Sequence, residues 1–404
     1  MTRILLALIG LVSTAAAQTG PPPPAPPPPP ERTIDLDLSA PALHLGAPDR
    51  SLREATDAEV LDAASRWEAA AYADDAAELN GMVHSPTLLL RALDGRPLSE
   101  TFRQGMAIAT GMVGTPLHAG LGTSGSYTFL RLVERDGAQR AQFRYLGEDG
   151  GLNYQEVLFQ IDEAGTAWLV DLHSMANGED LSRSLGRMLN VLVDDEGETT
   201  SAADLVSQFT QAHQQGDAQR MVDLYPRLPV SDADRQPLAL LYVMASAELG
   251  TPQFLKATDH YVALYGQNAA VALLLIDRHY LAGDYEAMMV AIDDVAEVTG
   301  GDPYLDLLRS SGLLALDRPL EAMKAIDRAH DALPEMDAVH TVRANVGLAA
   351  GAFEAVRDEL VYLESERGWT FEPATIAKEW PAFAASPAFA EWIGQTPSDP
   401  KPIK

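Results

Sequence analysis

Three patterns of apolar positions follow one another along the chain. In the first, apolar residues recur at three- and four-residue spacing: Val60, Ala63, Ala64, Trp67, Ala71 and Leu79. That is the period of one buried helix face. It opens on Thr56-Asp57-Ala58-Glu59, a capping box in which the Thr hydroxyl accepts from the first turn while the Glu reaches back. The pattern predicts a helix to about Glu78, stopped by Asn80-Gly81. A short strand over Thr87–Ala92 turning at Asp94-Gly95, a helix over Ser99–Met112 and a Gly-rich loop over 114–125 are predicted next.

The period then falls to two. Tyr127–Glu134, Arg140–Leu146, Leu152–Ile161 and Ala167–His173 read as strands, separated by Asp136-Gly137, Gly150-Gly151 and Glu163-Ala164-Gly165. Such turns between β-rich runs predict hairpins, and so an antiparallel meander. A closing helix is predicted over Asp180–Leu192. Residues 193–199 carry four acids and a glycine, the composition of an exposed linker, and place a domain boundary there.

Beyond residue 200 the helical period returns, now punctuated. Helix-stop residues stand at Gly216, Gly250, Gly283, Asp317 and Gly351, at spacings of 34, 33, 34 and 34. Glycine ends a helix in the left-handed conformation without steric cost, and Asp tolerates it. A second amphipathic segment follows each stop, so residues 200–366 predict five helical hairpins. This stretch resembles the tetratricopeptide (TPR) family. In the fourth unit Ala322, Ile326, Ala329 and Pro334 fall on the family's small, apolar and helix-ending positions. The family's usual Trp is missing from the first helices, and the third and fifth units are one residue short. The resemblance implies a stacked solenoid that holds a protein or peptide partner. Trp369, Phe371, Trp380, Phe383, Phe389 and Trp392 then cluster within 367–395, which predicts a cap over the last hairpin; 396–404 predicts a disordered tail.

Residues 52–192, ending in the strand Trp168-Leu169-Val170-Asp171, are similar in element order to the NTF2-like family. The expected fold class is therefore an α+β NTF2-like cone followed by an all-α TPR-like solenoid. The first resemblance implies a curved sheet around the long helix, with a pocket for a small ligand. Some enzymes of that family move a proton with an Asp, His or Tyr inside the cone. Asp171 and His173, two apart on one strand face, are the catalytic candidates here. His84, Tyr145 and Tyr154 are candidates to complete a polar cluster. The plain alternative has Asp171 satisfying turn amides, and both readings remain open. In the repeats, Arg309 and Arg343 each stand eight residues before a stop and so share a phase. They suggest a short basic ladder for a carboxylate ligand, unless acids of the chain already hold them.

Composition narrows the chemistry. The chain has 404 residues and no cysteine, which excludes disulfides, thiol nucleophiles and Cys-ligated metals. Twenty-nine bases against 58 acids give a net charge of −29, which argues against nonspecific nucleic-acid binding and docking on anionic lipid. Met1–Ala17 has a basic residue, Arg3, a nine-residue apolar run and an Ala-rich end, the layout of a cleaved signal peptide. It implies export, to the periplasm in the first instance, with no integral membrane segment afterwards. Within the Pro-rich segment 18–51, residues 21–30 contain nine prolines and predict a stiff polyproline spacer. No His pair has metal-motif spacing, so neither a metal nor another cofactor is expected. Gly120–Gly125 spells G-x-G-x-x-G but leads into a strand, which does not fit a dinucleotide site. The function this composes is an exported interaction scaffold; an acid/base enzyme built on the cone is the alternative.

Overall fold

The computed structural model describes residues 51–96, 110–148, 150–192, 202–266 and 269–395. The signal peptide, nearly all of the Pro-rich segment, most of the predicted helix at 99–112, the acidic linker and the tail lie outside the described residues. The chain divides into two compact units that change over between Ala282 and Gly283. Each is described by itself.

In the first unit a short strand β1 (Arg53–Glu54) precedes α1 (Asp57–Ala71). The capping box forms as the sequence predicts: Thr56 Oγ1 accepts from Glu59 N, and the Glu59 carboxylate accepts from Thr56 N. α1 ends at Ala71, earlier than predicted. The Tyr72 hydroxyl accepts from the Tyr127 amide and donates to its carbonyl. Asp75 then accepts from Ala77 N and starts α2 (Ala77–Gly81). The helix predicted to run to Glu78 is therefore two helices.

The predicted strand at 87–92 is a helix instead, α3 (Ser85–Leu93). Its buried residues, Ser85, Leu88, Leu89, Ala92 and Leu93, have helical spacing, and the His84 side chain caps it by accepting from Thr87 N. Asp94 closes it in the left-handed conformation at φ 47°. The predicted Gly-rich loop also contains a helix, α4 (Gly114–Leu121). Its glycines serve close packing: a Cβ on Gly114 would lie 2.4 Å from Leu79 Cβ.

The meander is as predicted: β2 (Ser126–Arg135), β3 (Ala138–Leu146), β4 (Leu152–Ile161), β5 (Ala167–Ser174) and β6 (Glu179–Asp180), each antiparallel to the next, with β1 paired to β4. One face packs on α1 around Trp67, Tyr127, Phe143, Phe159 and Leu169, all at most 1% exposed. Inside this apolar cluster Trp67 Nε1 donates to the Tyr127 hydroxyl, which donates to Gln155 Oε1. The register shifts between Leu158 and Phe159, leaving Val170 as an extra residue in β5. The closing helix α5 (Leu181–Leu192) is also as predicted.

Repeat helices follow within the same unit: α6 (Ala203–Gln214), α7 (Ala218–Leu224), α8 (Asp232–Glu248), α9 (Thr251–Tyr265) and α10 (Ala269–Ala282). α5 contributes Val191 to their apolar core. The second unit holds α11 (Tyr285–Thr299), α12 (Pro303–Ala315), α13 (Pro319–Ala332), α14 (Asp337–Ala350) and α15 (Phe353–Arg367). Gly216, Gly250, Asp317 and Gly351 each lie between the two packed helices of a hairpin, Gly283 stands where the units change over, and φ at the five runs from 56° at Asp317 to 112° at Gly250. Ala322, Ile326 and Ala329 are fully buried where the hairpins pack. Three short helices, α16 (Pro373–Glu379), α17 (Pro381–Ala384) and α18 (Pro387–Gln395), bring Phe371, Phe383, Phe389 and Trp392 onto Val356, Leu360 and Leu363 of α15. The aromatic cluster thus covers the last repeat helix. Among the described residues no helix is long and apolar enough to cross a membrane.

Candidate functional site

The bulge at Val170 decides where the sequence's catalytic candidates lie. Leu172 joins the core around Trp67, so by alternation Asp171 and His173 lie on the opposite face of the sheet. Asp171 is fully buried. Its Oδ1 accepts from the amides of Leu172 (3.0 Å) and Ser182 (3.1 Å), and its Oδ2 accepts from the Ser182 hydroxyl (2.7 Å) and Arg91 (3.4 Å). Ser182 is in the first turn of α5, so this carboxylate anchors that helix to the sheet. His173 bonds through Nδ1 to Asp180 at 2.9 Å, and Arg140 meets the same carboxylate with two N–H groups at 3.0 Å.

The remaining candidates are dispersed. His84 caps α3 and packs edge-on against Trp168. Tyr145 packs on the Trp67 side. Tyr154 is buried on the other face, opposite Arg144. Asp171 and His173 share a face but are held by different partners.

That outer face is strongly polar for a buried surface. Arg140, Gln142, Arg144, Glu156 and Asp171 are all 6% exposed or less. Arg135 pairs with Glu156 at 2.5 Å and Arg187 with Glu179 at 2.9 Å. Burial pushes the Asp180 carboxyl up, but hydrogen bonds from His173 and Arg140, and their charge, outweigh it and hold it well below the ordinary range.

In the repeats, the two candidate arginines prove to be members of a periodic ladder. Arg278 on α10 pairs with Asp259 on α9 at 3.0 Å. In the second unit Arg309 on α12 pairs with Asp293 on α11 at 2.5 Å, and Arg343 on α14 with Asp327 on α13 at 2.8 Å. Each acid lies on a helix that follows one of the stops and each arginine on the next helix along the chain. Arg309 is also held by Asp306, and Arg343 by Glu359. The carboxylates these arginines bind are thus the chain's own.

Glu359 on α15 is the centre of the most concentrated cluster. It is 2% exposed. Its Oε2 accepts from His340 Nδ1 at 2.5 Å, and its Oε1 from Arg343 at 2.5 Å. His330 Nε2 lies 3.4 Å from Oε1. His340 is likewise 2% exposed, stacks on Tyr362 at 3.9 Å, and donates through Nε2 to the Pro334 carbonyl at 2.8 Å. With an acceptor beside each ring nitrogen, the arrangement favours the protonated form of His340. Burial pushes its pKa down, but the bonds to Glu359 and Pro334 outweigh that and raise it. Burial likewise pushes Glu359 up, while His340 and Arg343 bring it below its usual value.

Spacing alone did not single out this cluster, because its members come from three helices. The legible signal was the hairpin template, which brings α14 and α15 side by side and so places positions 340 and 359 across from each other.

No family model matches the chain, and no curated protein matches it. Solved structures similar to it include a MamA protein, 11% identical, covering 42% of this chain and 96% of that one at a TM-score of 0.36. A thermophilic TPR protein of Thermus thermophilus is 15% identical and covers 45% of this chain and 98% of that one, at a TM-score of 0.28. The helical region is TPR-like by its own geometry, in its 34-residue period and its paired helices.

Proposed function

We propose that the protein is an exported, periplasmic scaffold whose TPR-like repeats hold a protein or peptide partner, joined to an N-terminal NTF2-like domain. The observation that carries this reading is the hairpin array itself. Its helices pair and pack through small buried residues, and the Asp–Arg rungs join one hairpin to the next. A surface fixed in this way is organised before a partner arrives, which lowers the ordering cost of binding. Exposed apolar side chains offer contact area: Val290 (61% exposed) and Val298 (45%) on one side of α11, and Leu320 (68%) on α13. Met1–Ala17 supports export, and an excess of acids suits a surface that stays soluble and selective.

The test is cross-linked affinity purification from the native cell envelope, using the full chain and a Val290→Asp/Val298→Asp variant with an unchanged melting profile. The scaffold reading expects a defined partner that the variant loses. An identical set of captured proteins for both chains would sink it. Mass spectrometry of the envelope protein tests export separately. A chain beginning at Gln18 is expected, and one retaining Met1–Ala17 in the cytoplasm would overturn that part.

A further inference from the structure

Among the described residues, His330, His340 and Glu359 bring three metal-ligating atoms within 4.8 Å of one another. The scaffold reading makes no use of this convergence. The two histidines offer different nitrogens to the same carboxylate. His340 presents Nδ1 to Glu359 Oε2, and His330 presents Nε2 to Glu359 Oε1. His340 turns its other nitrogen to the Pro334 carbonyl at 2.8 Å, while His330 Nδ1 faces the solvent side, 3.8 Å from the exposed Asp331 carboxylate. Metal-binding histidines are oriented as His340 is, with the second ring N–H given to a carbonyl or carboxylate. Glu359 is itself steadied through Oε1 by Arg343, which leaves Oε2 to serve as ligand.

We propose that His330, His340 and Glu359 form a binding site for one divalent transition metal of the zinc type. Two imidazoles and a carboxylate are a borderline donor set that suits Zn²⁺, Co²⁺ or Ni²⁺ and serves Ca²⁺ or Mg²⁺ poorly. The ion takes the place of the proton between His340 Nδ1 and Glu359 Oε2. Tetrahedral ligands about 2.0–2.1 Å from zinc stand roughly 3.3 Å apart. The three ligand atoms already lie within 4.8 Å of one another, so His330 closes in slightly while the His340–Glu359 contact opens from 2.5 Å to admit the ion. His330 is 28% exposed and gives the ion its way in, while His340 and Glu359 are buried. The fourth position is left to water. Because the ligands lie on α13, α14 and α15, the ion ties three consecutive helices together. Its effect is on the rigidity of the repeat surface, whatever partner that surface holds.

The experiment uses the full chain stripped of metal with a chelator. Added Co²⁺ is expected to give the visible absorption of a four-coordinate site at one ion per chain, and Zn²⁺ to displace it and raise the melting temperature. His330→Ala removes the solvent-side ligand and leaves the buried His340–Glu359–Arg343 bonds in place. It is expected to weaken Zn²⁺ binding about 10-fold or more. His213→Ala, at an exposed histidine elsewhere, is expected to leave binding unchanged. The proposal is overturned if the wild-type chain shows neither Co²⁺ absorption nor a Zn²⁺-dependent melting shift. It is equally overturned if His330→Ala binds as tightly as wild type.

Discussion

Asp327 accepts the guanidinium of Arg343 at 2.8 Å, and Asp293 and Arg309 make the same contact one 34-residue period earlier. The repeat is therefore written in charge as well as in apolar residues. Position along the hairpin fixes which charges meet across successive hairpins.

Exposure sets what each contact contributes. Asp293 and Asp327 are 67% and 44% exposed, so water and salt screen them. A double-mutant cycle on Asp293 and Arg309 should give a coupling of about 0.5–1 kcal/mol that shrinks in high salt. Glu359 is buried beneath two cationic partners. Glu359→Gln should cost about 3 kcal/mol or more by leaving His340 and Arg343 undercompensated. Denaturant titration of the full chain checks both. Equal effects at Asp293 and Glu359 would show that burial does not rank these contacts.

Asp171 is the corresponding anchor in the sheet. It bonds two amides, a hydroxyl and a guanidinium with no exposure to water. Asp171→Ala should destabilise the first unit by about 3–5 kcal/mol, through buried donors left without an acceptor. Thermal and denaturant unfolding, followed by circular dichroism, measure it. A variant as stable as wild type would contradict the anchoring role and return Asp171 to the residues kept for chemistry.

The Arg140–Asp180–His173 cluster gives a pH dependence with a definite sign. The folded pKa of Asp180 lies below its unfolded value, so the native state favours its carboxylate. The stability it contributes is fully present above about pH 4, near the unfolded value, and is lost as pH falls below it. Wild type and Asp180→Asn should differ by about 1–3 kcal/mol at pH 7, and the difference should begin to shrink only as pH falls below about 4. Urea titrations across that range test this. A difference that grows on acidification would reverse the assignment.

How much was legible in the sequence depended on whether local or distant contacts decide an element. The capping box at Thr56–Glu59, the four strands and the five helix stops are local signals, and the structure shows each of them. The failures have distant causes. Leu88 and Leu89 carry a helical burial pattern that only α3's packing makes visible, and α1 stops where the Tyr72 hydroxyl reaches the Tyr127 backbone. Asp171 and His173 were correctly placed on one strand face. The bulge at Val170, which needs the register with β4, decided that this face is not the one around Trp67. The arginine phase at 309 and 343 was also legible, but their partners lie on neighbouring helices.

The glycines of 114–125 turn that lesson into a prediction with opposite signs. Read locally, Gly is a poor helix former, and replacing one in a helix by Ala should gain roughly 1 kcal/mol. Gly114, however, is buried at the start of α4, where a Cβ would stand 2.4 Å from Leu79 Cβ and 2.9 Å from Asn80 Oδ1. Its amide also donates to Asn80 Oδ1 at 2.9 Å, and Asn80 donates to Thr115 Oγ1. Neither α2 nor α4 can retreat without loosening that bonded seam. Gly114→Ala should therefore destabilise by about 1–3 kcal/mol, as overpacking does. Gly81→Ala is the internal control. It lies in α2 next to Asn80, and a Cβ there meets nothing within 4 Å. A melt of both variants against wild type separates propensity from packing, because only packing makes the two substitutions differ in sign.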